Sequence, residues 1–237
     1  MIITSVNNQL IKDMAKLHQK KYRDELNLFL IEGYHLYEEA LKMDVIKTIF
    51  TTDDIIQGHN VIHVSQSVLE KLTKTNNSQK IVCVCEKLKR EKIHDKVLIL
   101  EGIQDPGNLG TLLRSALAFN FKTIILDNTV DIYNDKVIRS TQGAIFKLNF
   151  LEMNTLDFMN LNRDFEYIGT TLNGDKLETF RAIKKLAVIL GNEGNGLSLD
   201  VLKNTKRNVT IKTNEVESLN VGVAGSIIMH HINTSTQ

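Results

Sequence analysis

Residues 97–114 of the chain read VLILEGIQDPGNLGTLLR. The aliphatic run at 97–100 predicts a buried strand, and the Asp-Pro-Gly sequence at 105–107 predicts a sharp turn before a helix that begins near Asn108. Open α/β sheets bind ligands at the carboxyl ends of their strands, where the next helix offers unpaired N–H groups. This stretch therefore predicts an α/β fold with a ligand site in the turn after the strand.

The same type of strand recurs through the second half of the chain. Its members are nearly continuous aliphatic runs, which are typical of parallel strands covered on both faces. They alternate with helical segments, so we predict a parallel α/β domain. The predicted strands lie at residues 97–101, 123–127, 167–171, 186–190 and 208–212.

The first half of the chain has its own set of shorter elements. Helical patterns at 7–20, 32–43 and 67–74 alternate with strand-like runs at 28–31, 45–50, 61–64 and 81–85. A charged stretch over 86–96 separates the halves and is typical of a linker. We therefore predict a smaller N-terminal α/β domain at residues 1–92 and a larger domain at residues 93–237.

Composition limits the possible partners and compartments. The 237 residues are 42% hydrophobic and carry a net charge of +1, which argues against a strongly charged surface overall but allows a local basic patch. The N-terminal residues 1–4 lack a charged region followed by a long apolar stretch, and no run approaches the ~18 apolar residues of a membrane span. We expect a cytoplasmic protein with no membrane partner.

Two cysteines, Cys83 and Cys85, lie two residues apart in an apolar run. Side chains at this spacing point to the same face of a strand, so a disulfide between them is geometrically poor. No other ligands stand nearby in a metal-binding spacing. We predict reduced core side chains and no metal site.

A basic stripe follows the first helical pattern. If the helix is continuous, basic residues at i, i+4, i+8 and i+11 share one face that would suit RNA phosphates. A solvated helix face is an equally good interpretation of the pattern. The residues are Lys12, Lys16, Lys20 and Arg23.

Two further segments of the second domain have unusual compositions. Residues 189–198, ILGNEGNGLS, place three glycines in six residues, which lets the backbone approach a ligand or form only a turn. The spacing fits neither the dinucleotide fingerprint nor a phosphate-binding Walker loop. Residues 209–228 lead from a strand into a helix that is rich in small residues at 222–226, where close backbone packing is expected.

Three motifs in these segments resemble those of the SpoU–TrmH branch of the SPOUT RNA methyltransferases. They are N-x-G-x-x-x-R at 108–114, G-N-E-G-x-G-L-S at 191–198 and S-L-N-V-x-V-A at 218–224, in the family's order. The resemblance covers roughly residues 97–232. The chain departs from the family pattern at Lys212, where proline is usual, and at Gly222, where serine is usual.

The N-terminal half resembles the L30e-like substrate-binding domain of the same family. The matching residues are Lys20-Lys21-Tyr22-Arg23 and Phe29-Leu30-Ile31-Glu32-Gly33. For the C-terminal half, the resemblance implies a trefoil-knotted parallel-sheet methyltransferase domain. It also implies a homodimer joined through this domain, with the active site shared across the two-fold axis.

The resemblance also implies site residues. S-adenosylmethionine would be held largely by backbone at Gly191, Ile211 and Leu219. The family proposal makes Arg114 a general base that acts on the reacting ribose. A guanidinium scarcely loses its proton in proteins, so positioning a phosphate and stabilising the developing oxyanion is the safer role.

The resemblance implies supporting roles for several further side chains. Asn108 would support Arg114 or the substrate, Glu193 would brace the glycine-rich loop, and Ser218 with Asn220 would position groups at the reacting centre. Glu193 and Asn220 could also serve only as hydrogen-bond partners within their loops. Arg139 matches a further family segment and could contact RNA or form a surface ion pair.

We therefore expect an S-adenosylmethionine-dependent methyltransferase that acts on a ribose 2′-hydroxyl of structured RNA. The separate N-terminal domain favours 23S ribosomal RNA over tRNA. A catalytically silent RNA-binding protein on the same scaffold is the alternative, although the combination of Arg114, Glu193, Ser218 and Asn220 argues against it. The missing phosphate-loop lysine argues against an unrelated nucleotide-binding enzyme.

Overall fold

The computed structural model describes residues 2–73, 79–88, 92–181 and 183–235. Three short 3-10 helices at Lys16–His18, Ala144–Phe146 and Leu177–Thr179 accompany the longer elements. The α-helices in these ranges are α1 (Gln9–Ala15), α2 (Lys20–Leu26), α3 (Tyr34–Leu41), α4 (Gln66–Thr73), α5 (Pro106–Ala118), α6 (Asp135–Thr141), α7 (Thr155–Leu161), α8 (Leu199–Asn204) and α9 (Val221–Thr234). The strands are β1 (Leu28–Glu32), β2 (Ile46–Thr51), β3 (Val61–His63), β4 (Ile81–Glu86), β5 (Lys96–Glu101), β6 (Thr123–Asp127), β7 (Asn149–Glu152), β8 (Glu166–Lys176), β9 (Leu186–Leu190) and β10 (Arg207–Thr210).

The chain divides into two compact units. The first comprises Met1–Lys89 and Tyr133–Phe146, and the second comprises Arg90–Ile132 and Lys147–Gln237. The first break lies close to the predicted boundary at 92/93, and residues 89–91 of the predicted linker lie outside the described part. The grouping of 133–146 with the first unit was not predicted from the sequence. The functional roles assigned to the two domains stay predictions.

The first unit is built on a mixed four-stranded sheet in the order β1-β4-β2-β3. Strand β4 runs antiparallel to both of its neighbours, and β2 pairs in parallel with β3. Cys83 and Cys85 lie on this inner strand as buried free thiols, and burial raises the pKa of Cys83 to about 12. The prediction of reduced core cysteines is confirmed.

The segment 133–146 joins the first unit through side chains that pack and hydrogen bond within it. The ring of Tyr133 lies 4.7 Å from that of Phe29, and the ring of Phe146 lies 6.2 Å from Phe29. The buried His18 also hydrogen bonds through Nδ1 to Asp135 at 2.9 Å. Aromatic packing and a polar contact therefore attach α6 to the first unit, although both ends of the segment continue into the second.

The predicted helix at residues 7–20 is interrupted. Helix α1 ends at Ala15, a 3-10 turn follows, and Gln19 is extended at φ −101° and ψ 132° before α2 begins. An extended residue resets the helical phase, so Lys12 and Lys16 do not continue onto one face with Lys20 and Arg23. The prediction of one continuous basic helix face is therefore wrong.

The second unit confirms the predicted parallel sheet. Six strands lie in the order β10-β8-β9-β5-β6-β7, and every adjacent pair is parallel. The side chains of Leu98, Ile99, Ile189 and others of β5 and β9 are fully buried, as expected of inner strands. The edge strand β7 was not predicted, because its four residues contain only two apolar side chains.

Helix α9 packs unusually closely on its neighbours, as its small residues predict. A Cβ atom on Gly225 would lie 2.4 Å from Leu112 Cδ2 and 2.6 Å from Leu190 Cδ1. Ser226 and Ser115 are also joined by a 2.7 Å hydrogen bond between their hydroxyls. A larger residue at 225 would therefore require the side chains of Leu112 and Leu190 to shift, or α9 to move away from them. The trefoil knot and the L30e-like character of the first unit stay predictions.

Membrane-spanning and metal-binding features are absent from the described ranges. No helix there is both long enough and apolar enough to cross a membrane. Among the same residues, no three His, Cys, Asp or Glu side chains come together in a way that could hold a metal ion.

Candidate functional site

A cleft of about 580 Å³ opens in the second unit at the carboxyl ends of the strands. Three segments supply most of its lining, at residues 170–172, 190–197 and 209–221. Seven of the lining residues were assigned to the site from the sequence, and these include all three predicted cofactor residues. The seven are Asn108, Gly191, Glu193, Ile211, Ser218, Leu219 and Asn220.

The glycine-rich loop after β9 folds tightly onto itself. Asn192 and Gly196 exchange backbone hydrogen bonds of 3.1 and 2.9 Å, and Gly196 has φ +68°. A Cβ atom on Gly191 would lie 2.2 Å from the carbonyl carbon of Gly196. Position 191 therefore has no room for a side chain, and the backbone itself forms the wall of the cleft.

The side chain of Asn192 stabilises this loop from inside. Its Oδ1 accepts hydrogen bonds from the backbone N–H groups of Gly194 at 2.9 Å and Asn195 at 3.1 Å. Its Nδ2 donates to the carbonyl of Gly102 at 2.8 Å, in the turn after β5. The Asn192 amide thus holds the second motif in shape and links it to the loop that precedes the first motif.

Glu193 makes a second link between the same two loops. Its Oε1 accepts from the Asp105 backbone N–H at 3.2 Å and from Asn108 Nδ2 at 3.1 Å, and its Oε2 accepts from the Gln104 backbone N–H at 3.4 Å. Burial alone would raise the pKa of Glu193, but these hydrogen bonds and one from its own N–H together outweigh burial and lower it. Glu193 is therefore an anionic brace between the loops.

Asn108 connects Glu193 to the third motif. The Nδ2 of Asn220 donates to Asn108 Oδ1 at 2.8 Å, while Asn220 Oδ1 caps helix α9 by accepting from the N–H groups of Gly222 and Val223. The side chains of Glu193, Asn108 and Asn220 therefore form one hydrogen-bonded chain. That chain joins all three sequence motifs in the wall of the cleft.

Arg114 lies on α5, in the first motif. Its side chain is exposed, and it is not among the described residues that line the cleft. Within the described part of the chain its guanidinium has no hydrogen-bond or ion-pair partner. An arginine held by no neighbour is free to bind an anion.

The departure from the family pattern at Gly222 has a local explanation. A Cβ atom there would lie 3.1 Å from Asn220 Oδ1 and 3.3 Å from Thr111 Cβ, which is tighter than ordinary contact. A side chain at 222 would require Thr111 or Asn220 to shift by a few tenths of an ångström. The other departure, Lys212, is exposed and does not line the cleft.

Two parts of the cleft wall were not predicted from the sequence. Thr170, Thr171 and Leu172 line the cleft from β8, and Glu217 lines it from the loop just before the third motif. The strand residues could have been found because β8 was predicted, and its carboxyl end must lie at the same edge as that of β9. Glu217 carried no signal that separated it from the other acidic residues of its loop.

Residues 95–230 match the sequence profile of the SpoU rRNA Methylase family. This chain belongs to the SpoU rRNA methylase family. The result confirms the resemblance seen in the three motifs. Residues 8–83 match a second profile, the MRM3-like substrate binding domain.

Relatives of this SpoU family member match over nearly its whole length. The 23S rRNA (guanosine(2553)-2′-O)-methyltransferase of Bacillus subtilis is 36% identical over 97% of this chain and 98% of its own length. An S-adenosylmethionine-bound rRNA methyltransferase from Sinorhizobium meliloti is 28% identical, has a TM-score of 0.90 and is covered over 98% of its length. A TrmH-family protein of Porphyromonas gingivalis is 26% identical, with a TM-score of 0.86 over 96% of this chain.

The basic residues predicted to bind RNA do not all reach the surface of this SpoU family member. Arg23 is only 3% exposed, and its Nη1 donates to the carbonyl of Leu17 at 2.7 Å. The assignment of Arg23 to RNA binding is therefore wrong, because its guanidinium is used inside the first unit. Lys12, Lys16 and Lys20 are exposed, and their role stays a prediction.

An aromatic ring lies among these lysines. The ammonium groups of Lys16 and Lys21 lie 5.7 and 5.8 Å from the centre of the Tyr22 ring. Lys21 and Tyr22 contribute to the family resemblance, but the sequence alone did not assign them to RNA binding. Lysines around a tyrosine are a combination that suits single-stranded RNA, in which phosphates and unstacked bases are both available.

Arg139 also belongs to the first unit. It is exposed on α6, and its charge contributes to the electrostatics of Asp135. Burial raises the pKa of Asp135, but the hydrogen bond from His18 and the charges of His18, Arg139 and Arg23 lower it overall. RNA binding by Arg139 stays a prediction.

Proposed function

We propose that this SpoU family member transfers a methyl group from S-adenosylmethionine to a ribose 2′-hydroxyl of 23S ribosomal RNA. The observation that carries the proposal is the hydrogen-bonded chain Glu193–Asn108–Asn220, which joins the three motifs in the wall of one cleft. The name of the B. subtilis relative supports 23S rRNA as the substrate class, and the S-adenosylmethionine bound in the S. meliloti structure supports the cofactor.

The residues of the cleft fit S-adenosylmethionine. Because Gly191 has no side chain, its main-chain groups are accessible in the wall of the cleft. Ile211 and Leu219 also line the cleft and are half-buried. Together the three residues offer apolar contact and main-chain hydrogen-bond groups. These three residues would hold the cofactor. When bound, it supplies a methyl group on a positively charged sulfur that a weak nucleophile can attack.

The reaction is an in-line displacement on that methyl group. The ribose 2′-oxygen would form a bond to the methyl carbon, the carbon–sulfur bond would break with its electron pair going to sulfur, and the hydroxyl proton would pass to water. Arg114 keeps its proton and is assigned to hold a phosphate of the RNA and to stabilise the negative charge that develops on the oxygen. Ser218 and Asn220, which line the cleft, are assigned to position groups around the reacting centre.

The position of Arg114 supports a homodimer. Because Arg114 does not line the cleft of its own chain, the partner subunit's Arg114 is assigned to complete the site. On α9, which packs against α5, Val223 is 47% exposed and Ile227 is 39% exposed, one helical turn apart. Apolar side chains at this spacing on a helix that borders the site are suited to a two-fold interface.

The first unit is assigned to RNA binding. Its match to a substrate binding domain supports this role, as do the exposed Lys12, Lys16 and Lys20 and the Tyr22 ring beside them. Arg139 would add a further contact to a phosphate. We retain the division into an RNA-binding domain and a methyltransferase domain, with residues 133–146 grouped with the first.

The decisive experiment incubates the full chain with labelled S-adenosylmethionine and either 23S rRNA or bulk tRNA, followed by mapping of the modified ribose. We expect one 2′-O-methylated nucleotide in 23S rRNA and none in tRNA. Binding of rRNA without any methyl transfer would instead support the catalytically silent alternative, and methylation of tRNA alone would overturn the substrate class.

A further inference from the structure

The cleft is acidic. Among the described residues that line it there are two carboxylates, Glu193 and Glu217, and no lysine, arginine or histidine. The two carboxylates differ in their surroundings. Glu193 is engaged by the N–H groups of two loop residues and by Asn108, whereas Glu217 has no hydrogen-bond or ion-pair partner among the described residues. Glu217 is therefore the carboxylate with free capacity to attract a cation in the cleft.

Charge distinguishes the methyl donor from the product that it becomes after transfer. The inference drawn from this difference rests on the proposed function. S-adenosylmethionine carries a sulfonium, an ammonium and a carboxylate, so its net charge is +1. After transfer the sulfur is an uncharged thioether, and S-adenosylhomocysteine is neutral overall. A negative group near the sulfur attracts the donor and loses most of that attraction once the methyl group has gone.

We propose that Glu217 is a specificity-determining residue that makes the cleft prefer the cationic methyl donor over the neutral product. Its carboxylate acts through space on the sulfonium and takes no proton from the substrate. The preference favours exchange of spent product for fresh donor, because product and donor compete for the same cleft. An exposed carboxylate is partly screened by water, so its effect on the affinity ratio is roughly three- to tenfold.

The chain contains a matched control for this test. Glu215 lies two residues earlier in the same loop, is exposed, and does not line the cleft. Glu215→Gln and Glu217→Gln remove the same charge from the same loop, so any difference between them reflects position rather than net charge. Both side chains are exposed, so neither substitution removes core packing.

The experiment measures the affinity of the full-length protein for three ligands by calorimetry. These are S-adenosylmethionine, S-adenosylhomocysteine and a non-reactive analogue that carries an amine in place of the methyl-sulfonium. We expect Glu217→Gln to weaken the binding of both cationic ligands about three- to tenfold. The affinity for S-adenosylhomocysteine should change less than about twofold. Glu215→Gln should bind all three as the unmodified protein does.

The outcomes separate this inference from the function on which it rests. If Glu217→Gln weakens all three ligands equally, or none, Glu217 does not sense the charge on sulfur and the inference is overturned. The inference is also overturned if Glu215→Gln changes the ratio of the affinities for S-adenosylmethionine and S-adenosylhomocysteine as much as Glu217→Gln does. If the unmodified protein binds neither S-adenosylmethionine nor S-adenosylhomocysteine, it is the proposed function that fails.

Discussion

The side-chain amide of Asn220 donates a 2.8 Å hydrogen bond to the side-chain carbonyl of Asn108, 112 residues earlier in the chain. The other end of the Asn108 amide donates to Glu193 at 3.1 Å. Asn108 cannot reverse its amide without placing its oxygen against the Glu193 carboxylate and its NH₂ group against that of Asn220. The orientation of each group in the chain therefore depends on the others.

Substitutions at Asn220 should separate its two roles. Asn220→Asp keeps the oxygen that caps α9 but loses the donor to Asn108, whereas Asn220→Ala loses both. We expect the free energy of unfolding to fall by about 1 kcal/mol for Asn220→Asp and by about 2 kcal/mol for Asn220→Ala. Urea denaturation measures both values, and a double-mutant cycle with Asn108→Ala should give a coupling of about 0.5–1.5 kcal/mol. Additive effects would contradict the link.

Two glycines of the same loop should respond very differently to alanine. At Gly191 a Cβ atom would lie 2.2 Å from backbone, whereas at Gly194 the nearest atom, Asn192 Oδ1, lies at an ordinary 3.5 Å. We expect Gly191→Ala to reduce affinity for S-adenosylmethionine at least tenfold, because the loop must open, and Gly194→Ala to stay within twofold. Calorimetry with melting curves for both variants checks this. Equal affinities for the two variants would show that the wall at 191 is not needed.

The Glu193 brace should make stability depend on pH. The pKa of Glu193 is lowered in the folded state from its ordinary value of 4.5, because hydrogen bonds outweigh burial. Its contribution is therefore present above pH 4.5 and is lost as the pH falls through the lower folded-state value. We expect Glu193→Gln to flatten this part of the profile of unfolding free energy against pH. A variant that loses stability below pH 4.5 as steeply as the unmodified protein would refute the role.

Arg114 and the N-terminal lysines should affect different steps. Arg114→Ala should reduce turnover at saturating RNA by at least a hundredfold and leave cofactor affinity unchanged, and Arg114→Lys should also be poor because an ammonium lacks the planar fork. Replacing Lys12, Lys16 and Lys20 together should weaken RNA binding and reduce its salt slope by up to roughly 0.7–0.9 for each phosphate that is no longer neutralised. Single-turnover assays and binding titrations over a range of salt distinguish the two effects.

Arg23 supplies the control for the lysines. Because its guanidinium is buried and bonded to the Leu17 carbonyl, Arg23→Ala should lower the free energy of unfolding by about 2–4 kcal/mol. At a temperature where the variant remains folded, its salt slope for RNA should match that of the unmodified protein. If Arg23→Ala instead reduced the salt slope for RNA binding and left the free energy of unfolding unchanged, Arg23 would have to be assigned to RNA binding.

Removal of the first unit should expose part of the remaining chain. A fragment that starts at residue 93 keeps 133–146 but loses Phe29, against which Tyr133 and Phe146 pack. We expect this fragment to bind a hydrophobic dye and to aggregate. A second fragment, in which a short Gly/Ser linker replaces 133–146, should stay monodisperse and bind S-adenosylmethionine. Failure of the second fragment to bind would show that the cleft needs the first unit.

Much of the fold was predictable because local patterns determine it. The inner strands β5, β6 and β9 are continuous aliphatic runs, and their alternation with helices leaves few arrangements other than a parallel sheet. Strand β7 escaped detection because it becomes a strand through pairing with β6 rather than through its own four residues. The helix break at Gln19 escaped detection because no proline or glycine marks it. The Leu17 carbonyl there bonds to Arg23 instead of continuing the helix.

The sequence by itself determined most of the elements, the three motifs and the residue types that carry the chemistry, since periodicity and motif spacing are local properties of the chain. Only the tertiary structure decided which of those residues meet. It buried Arg23, grouped 133–146 with the first unit, joined Asn108 to Asn220 and placed Glu217 but not Glu215 in the cleft. Each of these depends on how separate segments of the chain pack together, and such packing leaves no periodic trace in the sequence.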